Sequence, residues 1–151
     1  MFDKKIALFN RKVENRDEAL ALLAEEFVKA EVVEENFLTG IMDREAVFPT
    51  GLPLNKMGVA IPHTDTEYVK ENQIGFMTLE KPVVFQFMGD INQAIEVSVI
   101  FMLALKEGKS QMEMLPKLMD LFAMDEVMDA LKEVETYDEF FKIISESELL
   151  D

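Results

Sequence analysis

Apolar residues recur along this chain with two different periods, and the switches between them divide it into a helical opening, a block of strands and a helical close. Leu20, Leu23, Phe27 and Ala30 stand at i, i+3, i+7 and i+10, the stripe of an amphipathic helix ending near Ala30. Asn15, with Glu18 three residues later, predicts a capping box at its start, and Asp17 and Glu18 suit the positive end of the helix dipole. Ahead of it, residues 4–9 predict a short opening strand. Phe37, Leu38, Ile41 and Met42 make a second stripe, interrupted by Gly40, and Phe48-Pro49-Thr50-Gly51-Leu52-Pro53 predicts a loop punctuated by proline and glycine. Strands are expected at 58–61, 74–79, 83–87 and 96–105. Glu80-Lys81-Pro82 and Met88-Gly89-Asp90 separate the last three, and the first of these gaps is short enough for a hairpin. Residues 97–105 are almost continuously apolar, as in a strand buried on both faces. In the C-terminal third, Ser110 with Glu113 and Thr136 with Glu139 predict two further capping boxes, and Leu115, Leu118, Met119 and Phe122 form a helical stripe. Pro116 falls beyond the first turn of that helix and predicts a kink or a delayed start. Helices before and after a block of strands predict an α/β fold, a mixed β-sheet with helices packed on it.

Composition narrows the class. The chain has 151 residues, about one domain's worth, and no linker or repeat divides it, so residues 1–151 are expected to form a single domain with its core at about 5–144. Apolar residues make up 49% and charged residues 30%, a globular balance. No apolar run approaches the roughly 18 residues that span a bilayer. The opening Met1-Phe2-Asp3-Lys4-Lys5 lacks the long apolar segment of a secretory signal, so direct membrane insertion is not expected and the cytoplasm is. The absence of cysteine excludes disulfides and thiolate nucleophiles. Eleven methionines sit mostly at apolar positions of predicted elements, where filling gaps in the core is the expected role. Thirty acidic residues against fifteen basic ones give a net charge of −15, which opposes nucleic acid and anionic lipid and suits either solubility or a partner with a basic face.

Chemistry near neutral pH has one obvious centre. His63 is the only histidine, and it ends the run Gly58-Val59-Ala60-Ile61-Pro62-His63. The apolar part reads as a buried strand, Pro62 stops it, and His63 is delivered to the carboxyl end of the strand, the sheet edge where ligands bind in α/β folds. A packed, hydrogen-bonded histidine is the alternative. With Arg44-Glu45-Ala46-Val47-Phe48-Pro49-Thr50-Gly51 ahead of it, this run resembles the enzyme IIA domain of the bacterial sugar phosphotransferase system, in its fructose–mannitol type and most like the galactitol-type subunits. The resemblance covers about residues 5–144.

That resemblance implies a fold, an activity and partners. The fold is an α/β sandwich with helices on both faces of a mixed sheet. The activity is that of a phosphotransferase working through a phosphohistidine. His63 takes a phosphoryl group on Nε2 from the histidine-containing phosphocarrier protein and passes it to a cysteine of a IIB partner. IIB and the membrane subunit IIC are expected as separate chains, since no IIB cysteine motif or membrane segment is present. Both steps exchange one labile bond for another, so no cofactor, nucleotide or metal is expected. The chain also has no G-x-x-x-x-G-K-[ST] loop.

Such transfer needs a neutral nitrogen facing solvent, donors for the phosphoryl oxygens and an open line of attack. Arg44 is the candidate donor, since a guanidinium fork matches phosphoryl oxygens; a helix-end arginine paired with Glu45 or capping carbonyls is the alternative. Many relatives carry a second histidine at the start of a helix after the long buried strand. Gln111 stands there in this chain, at the expected first helical position, where free N–H groups and the helix dipole favour an anion and the amide can donate. An exposed polar residue is the alternative. Thr64-Asp65-Thr66-Glu67 predicts the start of a short helix. Thr64 and Asp65 are weaker members of the site, the backbone there reaching the phosphoryl group and Asp65 orienting His63, against simple capping. Lys56 and Lys70 read as solvated surface charges. Two other outputs compete with sugar transport: a nitrogen-type regulatory relative that acts by protein binding, and a non-catalytic acidic binding domain.

Overall fold

The computed structural model describes residues 1–147. Its elements run β1 (Ala7–Arg11), α1 (Arg16–Lys29), α2 (Phe37–Val47), β2 (Gly51–Pro53), β3 (Gly58–Ala60), a 3-10 turn (Thr66–Tyr68), β4 (Gln73–Phe87), β5 (Asp90–Ala104), α3 (Gly108–Phe122), α4 (Asp125–Glu133) and α5 (Tyr137–Ser145). β4 and β5 form a long antiparallel hairpin at the centre of a mixed sheet. β1 lies parallel to β4 on one side, and β3 lies parallel to β5 on the other. β2 runs antiparallel to β3 and pairs back with the end of β4, through Gly51 opposite Phe87 and a bond of 2.8 Å from Met88 N–H to the Gly51 carbonyl. The hairpin tip therefore curls over, and β4, β5, β3 and β2 close into a ring with β1 outside it.

Helices cover both faces, as the resemblance implied. α1 and α2 bury Leu20, Leu23, Phe27, Phe37 and Ile41 against Met77, Leu79, Phe85, Val97, Ile100 and Met102. α3, α4 and α5 bury Leu118, Leu131, Phe140 and Ile144 against Ile74, Phe76, Val99, Phe101 and Leu103. The alternation of β5 between the two cores, Ile100 and Met102 to one and Phe101 and Leu103 to the other, explains its unbroken apolar run. Phe140 of α5 stacks on Phe76 with centroids 4.3 Å apart, which pins that helix to the sheet.

Several boundaries differ from the sequence reading, each for a tertiary reason. The break at Glu80-Lys81-Pro82 is no hairpin. It is a bulge inside β4, where the register moves from Thr78 opposite Val99 to Val83 opposite Val97. A bulge lets a strand carry a proline and bend, which brings the tip round to β2. The hairpin turn is at Met88-Gly89, and β5 begins at Asp90, earlier than its apolar run. The opening strand is displaced to Ala7–Arg11, and part of the expected 48–53 loop is β2.

α3 begins at Gly108, ahead of the expected cap, so the Ser110–Glu113 box does not form. Pro116 lies within the helix. The carbonyl it leaves without a donor is that of Met112, a residue 76% exposed, where water can serve as the partner. The Thr136–Glu139 box forms in full. At Asn15 the side chain caps Glu18 N–H at 2.9 Å, while the Glu18 carboxylate accepts from Glu14 N–H. The methionines divide: Met77, Met102, Met114 and Met128 fill the core and Met42 and Met57 pack against it, as expected, whereas Met1, Met88, Met112, Met119 and Met124 are exposed.

Candidate functional site

β3 is short, but its neighbours carry it into position. Gly58 sits where β5 bulges between Val97 and Val99, and a Cβ there would run into the Glu96 carbonyl, so only glycine allows the approach. After Pro62 ends β3, contact with β5 persists: Leu103 N–H donates to the Pro62 carbonyl at 2.9 Å, and His63 bridges to Leu103 in parallel. His63 thus stands at the carboxyl end of the strand, held by the central strand beside it.

The ring is fixed by its own chain. His63 Nδ1 lies 2.8 Å from the Ile61 carbonyl oxygen. A carbonyl only accepts, so Nδ1 carries the proton and Nε2 holds the lone pair. Nε2 has no partner among the described residues and is not a buried atom, so it meets solvent. Burial pushes the imidazole below its ordinary pKa. The bond to Ile61 opposes that, Arg44 lowers it further and Asp65 raises it. At neutral pH the ring is therefore neutral and nucleophilic at Nε2.

Arg44 and Asp65 flank the histidine. Arg44 Nη1 lies 3.4 Å from Asp65 Oδ1, and its guanidinium carbon lies 5.2 Å from the centre of the Phe48 ring. Arg44 Nε is buried with no acceptor among the described residues, leaving an unused donor on the guanidinium. Arg44 stands in the last turn of α2 but pairs with Asp65 and not with Glu45, whose oxygens are taken by Thr50. Asp65 bonds neither ring nitrogen; it faces Arg44, and it stands at the N-terminus of the 3-10 turn without a side-chain cap. Arg44, Thr64, Asp65, Phe48 and Tyr68 line an open depression of about 240 Å³. Among the described residues, no group of three or more histidine or acidic side chains is placed to hold a metal ion.

Gln111 reaches the site from the opposite face, but from the second turn of α3 and not its first position, with its own N–H bonded to the Glu107 carbonyl. Its amide Nε2 donates to the Thr64 carbonyl at 3.1 Å. Thr64 is buried, with Oγ1 against α2. Two contributors were not singled out from sequence. Gly40, which only weakened the helical stripe, is where α2 meets this segment: a Cβ there would lie 2.8 Å from Thr64 Oγ1 and 2.9 Å from the Tyr68 ring. Glu45 is buried, with Thr50 N–H and Oγ1 donating to its two oxygens at 2.7 and 2.8 Å. Burial raises its pKa, against the Thr50 bonds and the charges of Arg16 and Arg44. The signal in the sequence for it was slight, a glutamate near the end of the apolar stripe of α2 and five residues ahead of Thr50. Lys56 and Lys70 are exposed, as expected.

Comparison with known proteins agrees with this fold. The family described as "Phosphoenolpyruvate-dependent sugar phosphotransferase system, EIIA 2" matches residues 1–147. The galactitol-specific EIIA component of Escherichia coli K12 is 27% identical over 117 residues, covering 78% of this chain and 77% of that one. Among solved structures, mannitol enzyme IIA in its complex with phosphorylated mannitol enzyme IIB, from Escherichia coli, superposes with a TM-score of 0.71 at 21% identity, over 92% of this chain and 94% of that one. Nitrogen regulatory protein IIA-Ntr from Neisseria meningitidis gives a TM-score of 0.72 at 21% identity, over 95% and 99%. Both structural likenesses concern the fold.

Proposed function

Since the chain belongs to the EIIA 2 family of the phosphoenolpyruvate-dependent sugar phosphotransferase system, we propose that it is the phosphoryl carrier of a galactitol-like transport system, loaded on His63. The observation that carries this reading is the state of the ring: Nδ1–H is committed to the Ile61 carbonyl, and Nε2, at a solvent-facing strand end, has no partner among the described residues. The donor is a phosphohistidine of the phosphocarrier protein. The Nε2 lone pair forms the new N–P bond as the donor's N–P bond breaks, and the electron pair of that bond returns to the donor imidazole. Cationic character builds on the His63 ring, and the Ile61 carbonyl stabilises it through Nδ1–H. Arg44 turns from Asp65 to the phosphoryl oxygens, where the partly exposed guanidinium offsets their charge.

In the second half the bond at Nε2 breaks and an S–P bond forms on a thiolate of a separate IIB subunit. The similar galactitol-specific component supports the transport assignment over a regulatory one. The sugar itself is the concern of a membrane subunit IIC. No helix among the described residues is long and apolar enough to cross a membrane, and the proposed place of work is the cytoplasm.

The test is incubation with the phosphocarrier protein, its upstream kinase and phosphoenolpyruvate. The expected result is an intact mass increased by one phosphoryl group, on an acid-labile, base-stable linkage, and no label in His63→Ala. Label surviving in His63→Ala would overturn the mechanism. Absence of label on the unmutated protein would leave the fold in the service of protein binding alone.

A further inference from the structure

The pairing of β2 with β3 runs Pro53 to Gly58, Leu52 to Val59 and Gly51 to Ala60, and the next rung would join Thr50 to Ile61. Side chains make that rung. Ile61 N–H donates to Thr50 Oγ1 at 3.2 Å. The Thr50 hydroxyl donates to Glu45 Oε1 at 2.8 Å, and Thr50 N–H donates to Glu45 Oε2 at 2.7 Å. With its proton committed to the carboxylate, the hydroxyl offers Ile61 N–H a lone pair held in one direction. On the other edge Leu103 N–H holds the Pro62 carbonyl. The segment that supplies the acceptor for His63 Nδ1 is therefore gripped from both neighbouring strands. Glu45 and Thr50 are each only 2% exposed. Burying a carboxyl group disfavours stability relative to an apolar residue of the same shape, so packing alone does not account for this arrangement.

We infer that Glu45 and Thr50 are positioning residues for His63: by fixing Ile61 they keep its carbonyl on Nδ1, hold the ring in the Nδ1–H tautomer and leave the lone pair on Nε2. The inference rests on the phosphoryl-carrier reading for its consequence in rate, but the tautomer is a property of the free protein. Neither residue touches the phosphoryl group; each acts through the backbone of Ile61.

The test uses the fact that the chain has one histidine, so a ¹⁵N spectrum of its imidazole reports a single ring. In the unmutated protein above the titration of the ring, Nδ1 is expected protonated and Nε2 bare. Thr50→Val keeps the shape and removes the hydroxyl. It is expected to admit the Nε2–H tautomer and to slow phosphoryl acceptance about tenfold, the effect of one net hydrogen bond, with KM for the phosphocarrier unchanged. Glu45→Gln, which no longer accepts at both oxygens, is expected to shift the tautomer in the same direction. Thr50→Ser restores the hydroxyl and is expected to restore the tautomer and the rate.

An Nε2–H ring in the unmutated protein overturns the inference. So does a folded Thr50→Val with the parent's tautomer and rate. If Thr50→Val does not fold, Glu45→Gln with the parent's tautomer overturns it. If the unmutated protein accepts no phosphoryl group, the carrier reading fails while the tautomer comparison still decides the positioning.

Discussion

Arg44 and Glu45 are adjacent on α2, and their side chains end in opposite environments on the same flank of His63. The Arg44 side chain is 34% exposed, shares Asp65 with solvent and keeps an unused donor. Glu45 is sealed, both oxygens taken by Thr50. In the proposed transfer, a group that must meet an arriving anion has to stay near water and be loosely held, because a partner gripped too well in the resting state is not released to the anion. A group that must fix geometry needs the reverse: low dielectric, full hydrogen bonding and no competing water. Gln111, on the other side of the histidine, is intermediate, part-buried and holding one backbone carbonyl.

The contrast is broken most strongly at Arg44. Arg44→Ala is expected to slow phosphoryl acceptance by about 2 kcal/mol of barrier, roughly thirtyfold, because a charge-assisted donor is lost at a partly exposed site. Thermal stability should stay near the parent's, since an exposed ion pair contributes at most about 1 kcal/mol. A parent-like rate in single-turnover transfer would return Arg44 to a surface role.

Gly40 tests whether the backbone approach itself matters. Gly40→Ala gains about 1 kcal/mol of helix propensity. It also forces Thr64 and the Tyr68 ring apart, and overpacking of that kind costs about 1–3 kcal/mol. A net loss near 1 kcal/mol is expected, seen as a melting temperature lower by about 2–4 °C. A higher melting temperature would show that the Thr64 segment yields freely.

An effect of similar size is expected at Gln111. Removing its bond to Thr64 in Gln111→Ala should slow transfer by about 0.5–1.5 kcal/mol, the net value of one hydrogen bond. Gln111→His should retain a donor and add a pH dependence near neutrality. Identical kinetics of both variants and the parent across mildly acid to mildly basic pH would assign Gln111 to the surface.

The finest test is the titration of His63, where Arg44 and Asp65 act with opposite signs. Ring titration by NMR should move up in Arg44→Ala and down in Asp65→Asn; shifts of one sign in both would refute the arrangement. The folded ring titrates below the ~6.5 of the unfolded chain. As pH falls through that window the unfolded state takes up the proton first. This contribution to stability is therefore complete above about 6.5 and declines as pH falls toward the folded value.

What could be read from the residues was what local physics sets. The α1 stripe, the Thr136–Glu139 box and the apolar run of β5 each depend on neighbours within a few positions, and each appears near its expected place. His63 after Pro62 belongs with them, since Pro62 has no N–H to continue a ladder, although Pro82 is carried inside β4 by its bulge. Tertiary contacts decided the rest. Glu80-Lys81-Pro82 reads as a turn until β5 lies opposite and makes it a bulge. Ser110 reads as a cap until the chain leaving β5 starts the helix earlier, at Gly108. Gly40 reads as a defect until Thr64 packs against it. The sequence determined which side chain is the candidate for the chemistry, because only one imidazole is present. Its tautomer depended on the Ile61 carbonyl, and the Ile61 N–H reaches Thr50 only once β2 lies beside β3. Hydrogen bonds between distant segments have no period in the sequence, so the folded chain alone assigns them.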